Sequence, residues 1–274
     1  MTSTQVAPAG ACDCHVHIYD TGYPLAPTAT FKPPQAPVSA YRKVQAELGL
    51  QRVVLVQPTG YGFDNSCLLH ALEQLGANAR GIVVVPADVS DAELTRLYAA
   101  GVRGIRFMML SGSGGLLGWD MLPAMAARIA PLGWHINLQL NGRELPQYQA
   151  LIDRLPCAVV IDHLGKFIDP VAPDDPAFKA LLVLLDRDDR WIKLSGAYET
   201  SKLGPPHYAD VAPLAKALLA ARAERCLWAS NWPHPNRNPL PSDAAMLALL
   251  NDWGADEALR ERVLVTNPAR LYGF

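Results

Sequence analysis

Val53-Val54-Leu55-Val56 and Ile82-Val83-Val84-Val85 are short runs without a single polar residue. A strand with one face in water alternates apolar with polar residues, whereas an unbroken apolar run fits a strand covered on both faces, as in a parallel sheet. Working outward from these two, further runs bounded by turn residues complete a set of eight expected strands. They cover residues 11–18, 52–57, 80–85, 102–107, 134–140, 158–162, 191–194 and 225–230. Between most of them lie stretches with apolar residues at helical spacing, at 64–75, 91–100, 122–130, 145–155, 176–185, 208–221 and 243–250. Ser90 and Ser242 stand where helix N-caps belong. Alternating strands and helices make the chain α/β. Eight such units in 274 residues favour closure into a (β/α)8 TIM-like barrel over an open sheet, as one domain spanning residues 1–274.

Composition excludes several classes of function. Lys and Arg number 24 against 26 Asp and Glu, with the signs interleaved, so no footprint for nucleic acid or an anionic membrane is visible. No apolar stretch reaches the roughly 18 residues needed to span a bilayer. Residues 1–10 are polar and lack the hydrophobic segment of a signal peptide. Cys12, Cys14, Cys67, Cys157 and Cys226 are an odd set for a disulfide framework, and four sit in or beside apolar runs. Free thiols in a reducing compartment are expected, with the cytoplasm as the default location.

Barrel enzymes carry their chemistry at the carboxyl ends of the strands. The first strand ends Asp13-Cys14-His15-Val16-His17, the second at Gln57 and the fourth at Arg106. The fifth carries Gln139, the sixth ends Asp162-His163, the seventh ends Lys193-Leu194-Ser195, and the eighth runs on through Asn231 to His234. Residues two apart in a strand share a face, so His15 and His17 point together into the barrel mouth. Two inward imidazoles suit a metal site, or oxyanion stabilisation with proton transfer. His163 fits the same pocket. A guanidinium at the end of a buried strand needs an anion, so Arg106 faces either a protein carboxylate or a substrate carboxylate. Gln57, Gln139, Lys166, Ser195, Tyr198 and His234 extend the polar rim as substrate-binding candidates. Two irregular segments, the proline-rich 21–37 and the glycine-rich 110–118, are either lids over the mouth or plain surface insertions.

Asp13-Cys14-His15-Val16-His17, Gly101-Val102-Arg103-Gly104-Ile105-Arg106-Phe107, Val160-Ile161-Asp162-His163-Leu164-Gly165, Trp232-Pro233-His234-Pro235 and the tail Val265-Thr266-Asn267-Pro268-Ala269-Arg270-Leu271-Tyr272 together resemble the amidohydrolase superfamily. The branch is that of 2-pyrone-4,6-dicarboxylate hydrolase and galactarolactone isomerase, and the resemblance spans essentially the whole chain. The wider superfamily implies divalent metal held by histidines of strands one, five and six and by an aspartate ending strand eight. Here strand five has Gln139 and strand eight has Asn231, which leaves His15, His17 and His163. Those three could hold a single divalent ion such as zinc, but the branch implies catalysis with no metal and no other cofactor.

The resemblance also implies roles. In the pyrone hydrolase, the residue matching Asn231 is an aspartate that looks like the base activating water. An asparagine amide has no useful proton affinity. The isomerase is similar in lacking that base, because a hydroxyl of its own substrate attacks the lactone carbonyl at high effective concentration. His15, His17 and His163 are then left to stabilise the oxyanion and shuttle protons, with Asn231 beside them. Where the pyrone hydrolase carries another basic residue after Arg106, the loop Ser111-Gly112-Ser113-Gly114-Gly115 has no charge, which favours a more hydroxylated substrate. The expected activity is isomerisation of a carboxylated sugar-acid lactone from its 1,5- to its 1,4-form. The alternatives are a lactone hydrolase, of aldarolactonase or pyrone-dicarboxylate type, and a metal-dependent amidohydrolase. The expected partner is the small-molecule lactone alone, and the sequence carries no mark of oligomeric state.

Overall fold

The computed structural model describes residues 6–274; the first five residues of the expected 1–274 unit, and of the polar stretch 1–10, lie outside the described residues. Eight strands form one sheet in sequence order: β1 (Cys12–Val16), β2 (Arg52–Val56), β3 (Ala79–Val83), β4 (Val102–Met108), β5 (His135–Gln139), β6 (Ala158–Ile161), β7 (Arg190–Leu194) and β8 (Cys226–Trp228). All seven neighbouring pairs are parallel. Each lies within two residues of its expected bounds. The seam between β8 and β1 is closed beyond the end of β8, where His15 O accepts from Asn231 N at 3.0 Å and Trp232 O accepts from His17 N at 2.8 Å. The sheet is therefore a nearly closed barrel, and closure itself delivers Asn231 to the histidines.

Helices α1 (Val38–Leu48), α2 (Ser66–Leu75), α3 (Asp91–Ala99), α4 (Leu122–Ile129), α5 (Leu145–Asp153), α6 (Pro176–Leu184), α7 (Ala197–Thr200), α8 (Ala212–Arg222), α9 (Asp243–Asp252), α10 (Glu257–Glu261) and α11 (Asn267–Tyr272) accompany the strands. Ser90 Oγ accepts from Glu93 N at 3.1 Å and Ser242 Oγ from Ala245 N at 3.3 Å, so both expected caps are made. The periodicity of α1 is thin, because it buries only Val38, Tyr41 and Leu48. The lone turn α7 is too short to show a period at all.

Strand residues alternate between two cores. Val53 and Leu55 pack outward against the helices, while Val54 and Val56 join Ile82, Val160, Trp191 and Leu227 inside the barrel. Tyr272 from α11 completes that inner cluster, and Phe274 lies beneath the Arg52 and Arg80 guanidiniums at the starts of β2 and β3. The amino end of the barrel is thus filled with apolar side chains. β1 breaks the alternation: its pairing with β2 shifts between Asp13 and Val16. Asp13 turns outward to accept from Tyr41 Oη (3.1 Å) and from Ser230 Oγ (2.5 Å) and N (2.9 Å). The bulge lets the inner-core Cys12 and Cys14 and the candidate-site His15 and His17 share the barrel interior.

All five cysteines are buried and unbonded. No helix is long and apolar enough to cross a membrane.

Candidate active site at the carboxyl end of the barrel

The deeper half of the site is a four-residue cluster with no solvent exposure, formed by His15, Asn137, Asp162 and Lys193. Lys193 Nζ donates to Asn137 Oδ1 at 2.5 Å and lies 3.1 Å from Asp162 Oδ1 and 3.0 Å from His15 Nδ1. Asn137 Nδ2 in turn donates to Asp162 Oδ2 at 2.7 Å. Ions at this depth persist only when paired and hydrogen-bonded. Burial alone would raise the Asp162 carboxyl, but Lys193 and His15 outweigh it and hold it well below the usual carboxylate range. Burial lowers the Lys193 ammonium, and Asp162 opposes that shift.

The same contacts fix the histidine tautomers. Burial pushes His15, His17 and His163 well below the ordinary imidazole range; Lys193 adds to this at His15 and Arg106 at His17. The rings are neutral near pH 7. His17 Nδ1 lies 2.7 Å from Val56 O, a group that can only accept, so Nδ1 carries the proton. His17 Nε2 is then an acceptor, and His15 Nε2 at 3.1 Å must be its donor. That leaves His15 Nδ1 to accept from Lys193. One ordered chain therefore runs from Lys193 through His15 and His17 to the Val56 carbonyl.

Above this cluster opens a cavity of about 450 Å³. Of the residues singled out in the sequence, His17, Arg106, Gln139, His163, Lys166 and Asn231 line it. Thr30 and Phe31 from the proline-rich segment and Leu110, Gly112 and Ser113 from the glycine-rich one form its outer wall. Both segments overhang the site. His163 Nδ1 lies 2.8 Å from Ser195 Oγ, which leaves Nε2 for a ligand. Gly196, at φ 63°, passes so close that a Cβ there would stand 3.1 Å from the His163 ring. His163, Lys166 and Asn231 themselves adopt left-handed backbone (φ 53°, 48° and 62°), a concentration of strain typical of functional loops.

Arg106 stands near the end of β4. It is 5 % exposed; Nη1 donates to Gln57 O at 2.8 Å, Nη2 to Gln139 Oε1 at 2.9 Å, and buried Nε has no partner. Among the described residues no carboxylate pairs with it.

Gln57, Ser195, Tyr198 and His234, expected to touch substrate, do not line the cavity. Gln57 Nε2 donates to Asp64 O at 2.7 Å and so ties down the loop after β2, while its carbonyl anchors Arg106. Ser195 orients His163. His234 Nε2 lies 2.9 Å from Asp243 Oδ1 and its Nδ1 lies 2.9 Å from Tyr198 Oη, which accepts from Asn231 Nδ2 at 2.8 Å. His15 likewise lies beneath the cavity rather than on its wall.

Asp162 and Lys193 stand among the strand-end residues of the sequence without an expected role, and Asn137, Glu199 and Arg237 are not singled out there at all. Lys193 had a usable signal, since a lysine inside the buried run Trp191-Ile192-Lys193-Leu194 must have a partner. Glu199 and Arg237 line the cavity, but Glu199 sits in the single turn α7 and Arg237 in the loop after β8, where no periodicity marks them. Asn231 Nδ2 donates to Glu199 Oε1 at 2.8 Å, and Lys166 Nζ forms an ion pair with Glu199 Oε2. Burial, with Arg106 adding to it, pushes Lys166 down to about 7, while the Asp162 carboxylate pulls the other way. Arg237 also corrects the inference from the uncharged loop 111–115: a further cation does reach the cavity, from the loop after β8.

A divalent ion at these residues would meet a cation already in place. Among the described residues, the group whose ligand atoms converge within 4.8 Å is His15, Asp162 and His163, not the His15, His17 and His163 set expected from sequence. Within that group the cation between His15 Nδ1 and Asp162 Oδ1 is already the Lys193 ammonium. A second, divalent charge against it is strongly unfavourable in so dry a place.

The amidohydrolase family model matches residues 12–274. The chain is 34 % identical over 276 residues to a 2-pyrone-4,6-dicarboxylate hydrolase of Comamonas testosteroni, covering 97 % of this chain and 90 % of that protein. It is also 34 % identical over 270 residues to a D-galactarolactone isomerase of Agrobacterium fabrum, covering 97 % and 91 %. A crystal structure of a protein from Agrobacterium tumefaciens superposes with a TM-score of 0.92 at 34 % identity, covering 98 % of this chain and 97 % of that one.

Proposed function

We propose, from the premise that the chain belongs to the amidohydrolase family, that it isomerises a small carboxylated lactone by intramolecular acyl transfer, without a divalent metal. The observation that carries the substrate class is Arg106: a buried guanidinium on the cavity wall with a free Nε and no protein carboxylate. A substrate carboxylate meets that need with charge-assisted hydrogen bonds. The names of two relatives, a pyrone-dicarboxylate hydrolase and a galactarolactone isomerase, point to the same class of compound.

Isomerisation is supported by Asn231. Its amide donates through Nδ2 to Tyr198 and Glu199, which turns the buried, unpartnered Oδ1 away as an acceptor for a substrate hydroxyl. An oriented hydroxyl on the substrate is itself the nucleophile, and holding it near the carbonyl replaces the activation of a free water. With Ser195 donating to His163 Nδ1, His163 Nε2–H meets the carbonyl oxygen as negative charge develops there. Lys193 supplies the fixed positive charge behind His15 and His17, which supports the metal-free part of the proposal.

Hydrolysis is the second reading, and one observation favours it: Glu199 is a carboxylate within the same cavity and is able to accept a proton from water. Proton NMR of metal-stripped protein with D-galactaro-1,5-lactone separates the two. The 1,4-lactone forming before any open-chain acid supports isomerisation; open acid forming first makes the protein a lactonase. Turnover that returns only on adding zinc or manganese overturns the metal-free part.

A further inference from the structure

We propose that Glu199 is the proton-transfer group of the reaction, taking the proton from the attacking hydroxyl and returning it to the leaving oxygen. The inference rests on the lactone reading above and deepens it. Among the described residues that line the cavity, Glu199 is the sole carboxylate. The other acid nearby, Asp162, lies beneath the cavity wall and has both oxygens committed to Lys193 and Asn137. His17 has both ring nitrogens engaged, and His163 is placed to donate to the carbonyl oxygen rather than to accept.

The neighbours of Glu199 are arranged around a carboxylate that gains and loses a proton. Asn231 Nδ2–H holds Oε1 at 2.8 Å, which fixes the plane of the group beside the Asn231 Oδ1 that receives the hydroxyl. Lys166 balances its charge from the other side, at 14 % exposure against 10 % for Glu199. The pair is neither sealed nor fully wet. An aspartate at position 231 would set two carboxylates edge to edge, so asparagine and Glu199 belong together.

The step balances within the substrate and one side chain. The substrate hydroxyl gives its proton to Glu199 as its oxygen forms a bond to the lactone carbonyl carbon, and the carbonyl π pair moves onto oxygen. When the carbonyl re-forms, the ring C–O bond breaks and the leaving oxygen takes the proton back from Glu199. No water, oxidant or other acid is consumed, which suits a pocket whose histidines are neutral.

The test compares the unaltered protein with Glu199→Gln and Glu199→Asp, measuring kcat and KM for lactone conversion from pH 5 to 9. Binding of open-chain galactarate and thermal unfolding confirm that each variant is folded. Glu199→Gln is expected to lose a factor of about 10³ in kcat with galactarate affinity within about threefold, and to lose the acidic limb of the pH profile. Glu199→Asp is expected to retain that limb and recover part of the rate. A Glu199→Gln protein that keeps kcat within about tenfold, or that changes only in KM with the same pH profile, overturns the role of Glu199 while leaving the lactone reading standing. Absence of lactone turnover by the unaltered protein overturns both.

Discussion

Lys193–Asp162 and Lys166–Glu199 are the same chemical pair set at two depths of one barrel. The deep pair has no exposure and is held by Asn137 and His15; the upper pair is partly exposed and is held by Asn231. Depth decides what each can do. In the dry interior every lone pair and N–H must be matched, so the deep ions are locked and act as a fixed field beneath the histidines. At the cavity wall a carboxylate meets both water and ligand, and it can exchange a proton during a reaction.

The two pairs should differ most in their contribution to stability. Lys193→Met leaves Asp162 buried and unpaired, and should cost about 3–5 kcal/mol in denaturant unfolding. Lys166→Met should cost under about 1 kcal/mol, as partly solvated pairs do. Equal losses would mean that the two sites do not differ as described.

Arg106 is a third cation, intermediate between the pairs because no carboxylate among the described residues pairs with it and, in the proposed function, the substrate supplies the anion. Arg106→Met should lower kcat/KM for a carboxylated lactone by about 10²–10³, the worth of two charge-assisted hydrogen bonds. Arg106→Lys should recover little of it, because an ammonium cannot make the forked contact. The penalty should shrink for the methyl ester of the same lactone, which steady-state kinetics would show.

Asn231→Asp sharpens the upper pair by adding a second carboxylate against Glu199. A loss of about 10- to 100-fold in rate and a lower Tm are expected, from like charges in a half-dry site. Efficient hydrolysis by this variant would show instead that asparagine alone sets the reaction type. The smallest effect comes from pH. Lys166, pushed down to about 7, is charged below that value and neutral above it. KM for the carboxylated lactone should therefore rise by a few-fold as pH increases through about 7, and Lys166→Arg should flatten the rise. The sign for stability is opposite: an unfolded lysine binds its proton up to its ordinary, higher value, so the penalty on the folded state fades as pH rises between the two.

The barrel was legible because doubly buried strands leave unbroken apolar runs, of which 53–56 and 82–85 are the plainest. His15, His17, Arg106, His163 and Asn231 were legible for a related reason: polar residues that end apolar runs stand out. Two kinds of information were hidden. The bulge in β1 that brings His15 inward directly after the inner-core Cys14 is set by pairing with β2, a contact remote in sequence. Glu199 lies in the one-turn helix α7 after β7 and Arg237 in the loop after β8, where one charged residue looks like any other until closure of the barrel brings them onto one wall. Gln57, Tyr198 and His234 had the right residue types but sit behind that wall, a distinction that strand spacing does not encode.

In the proposed reaction the substrate's own hydroxyl, not water, attacks the lactone carbonyl. Running the reaction of metal-stripped protein with D-galactaro-1,5-lactone in ¹⁸O-labelled water, and weighing the first product by mass spectrometry, tests it directly. The predicted result is an isomeric lactone with no label. A first product of open-chain acid carrying one ¹⁸O in its carboxylate would contradict it.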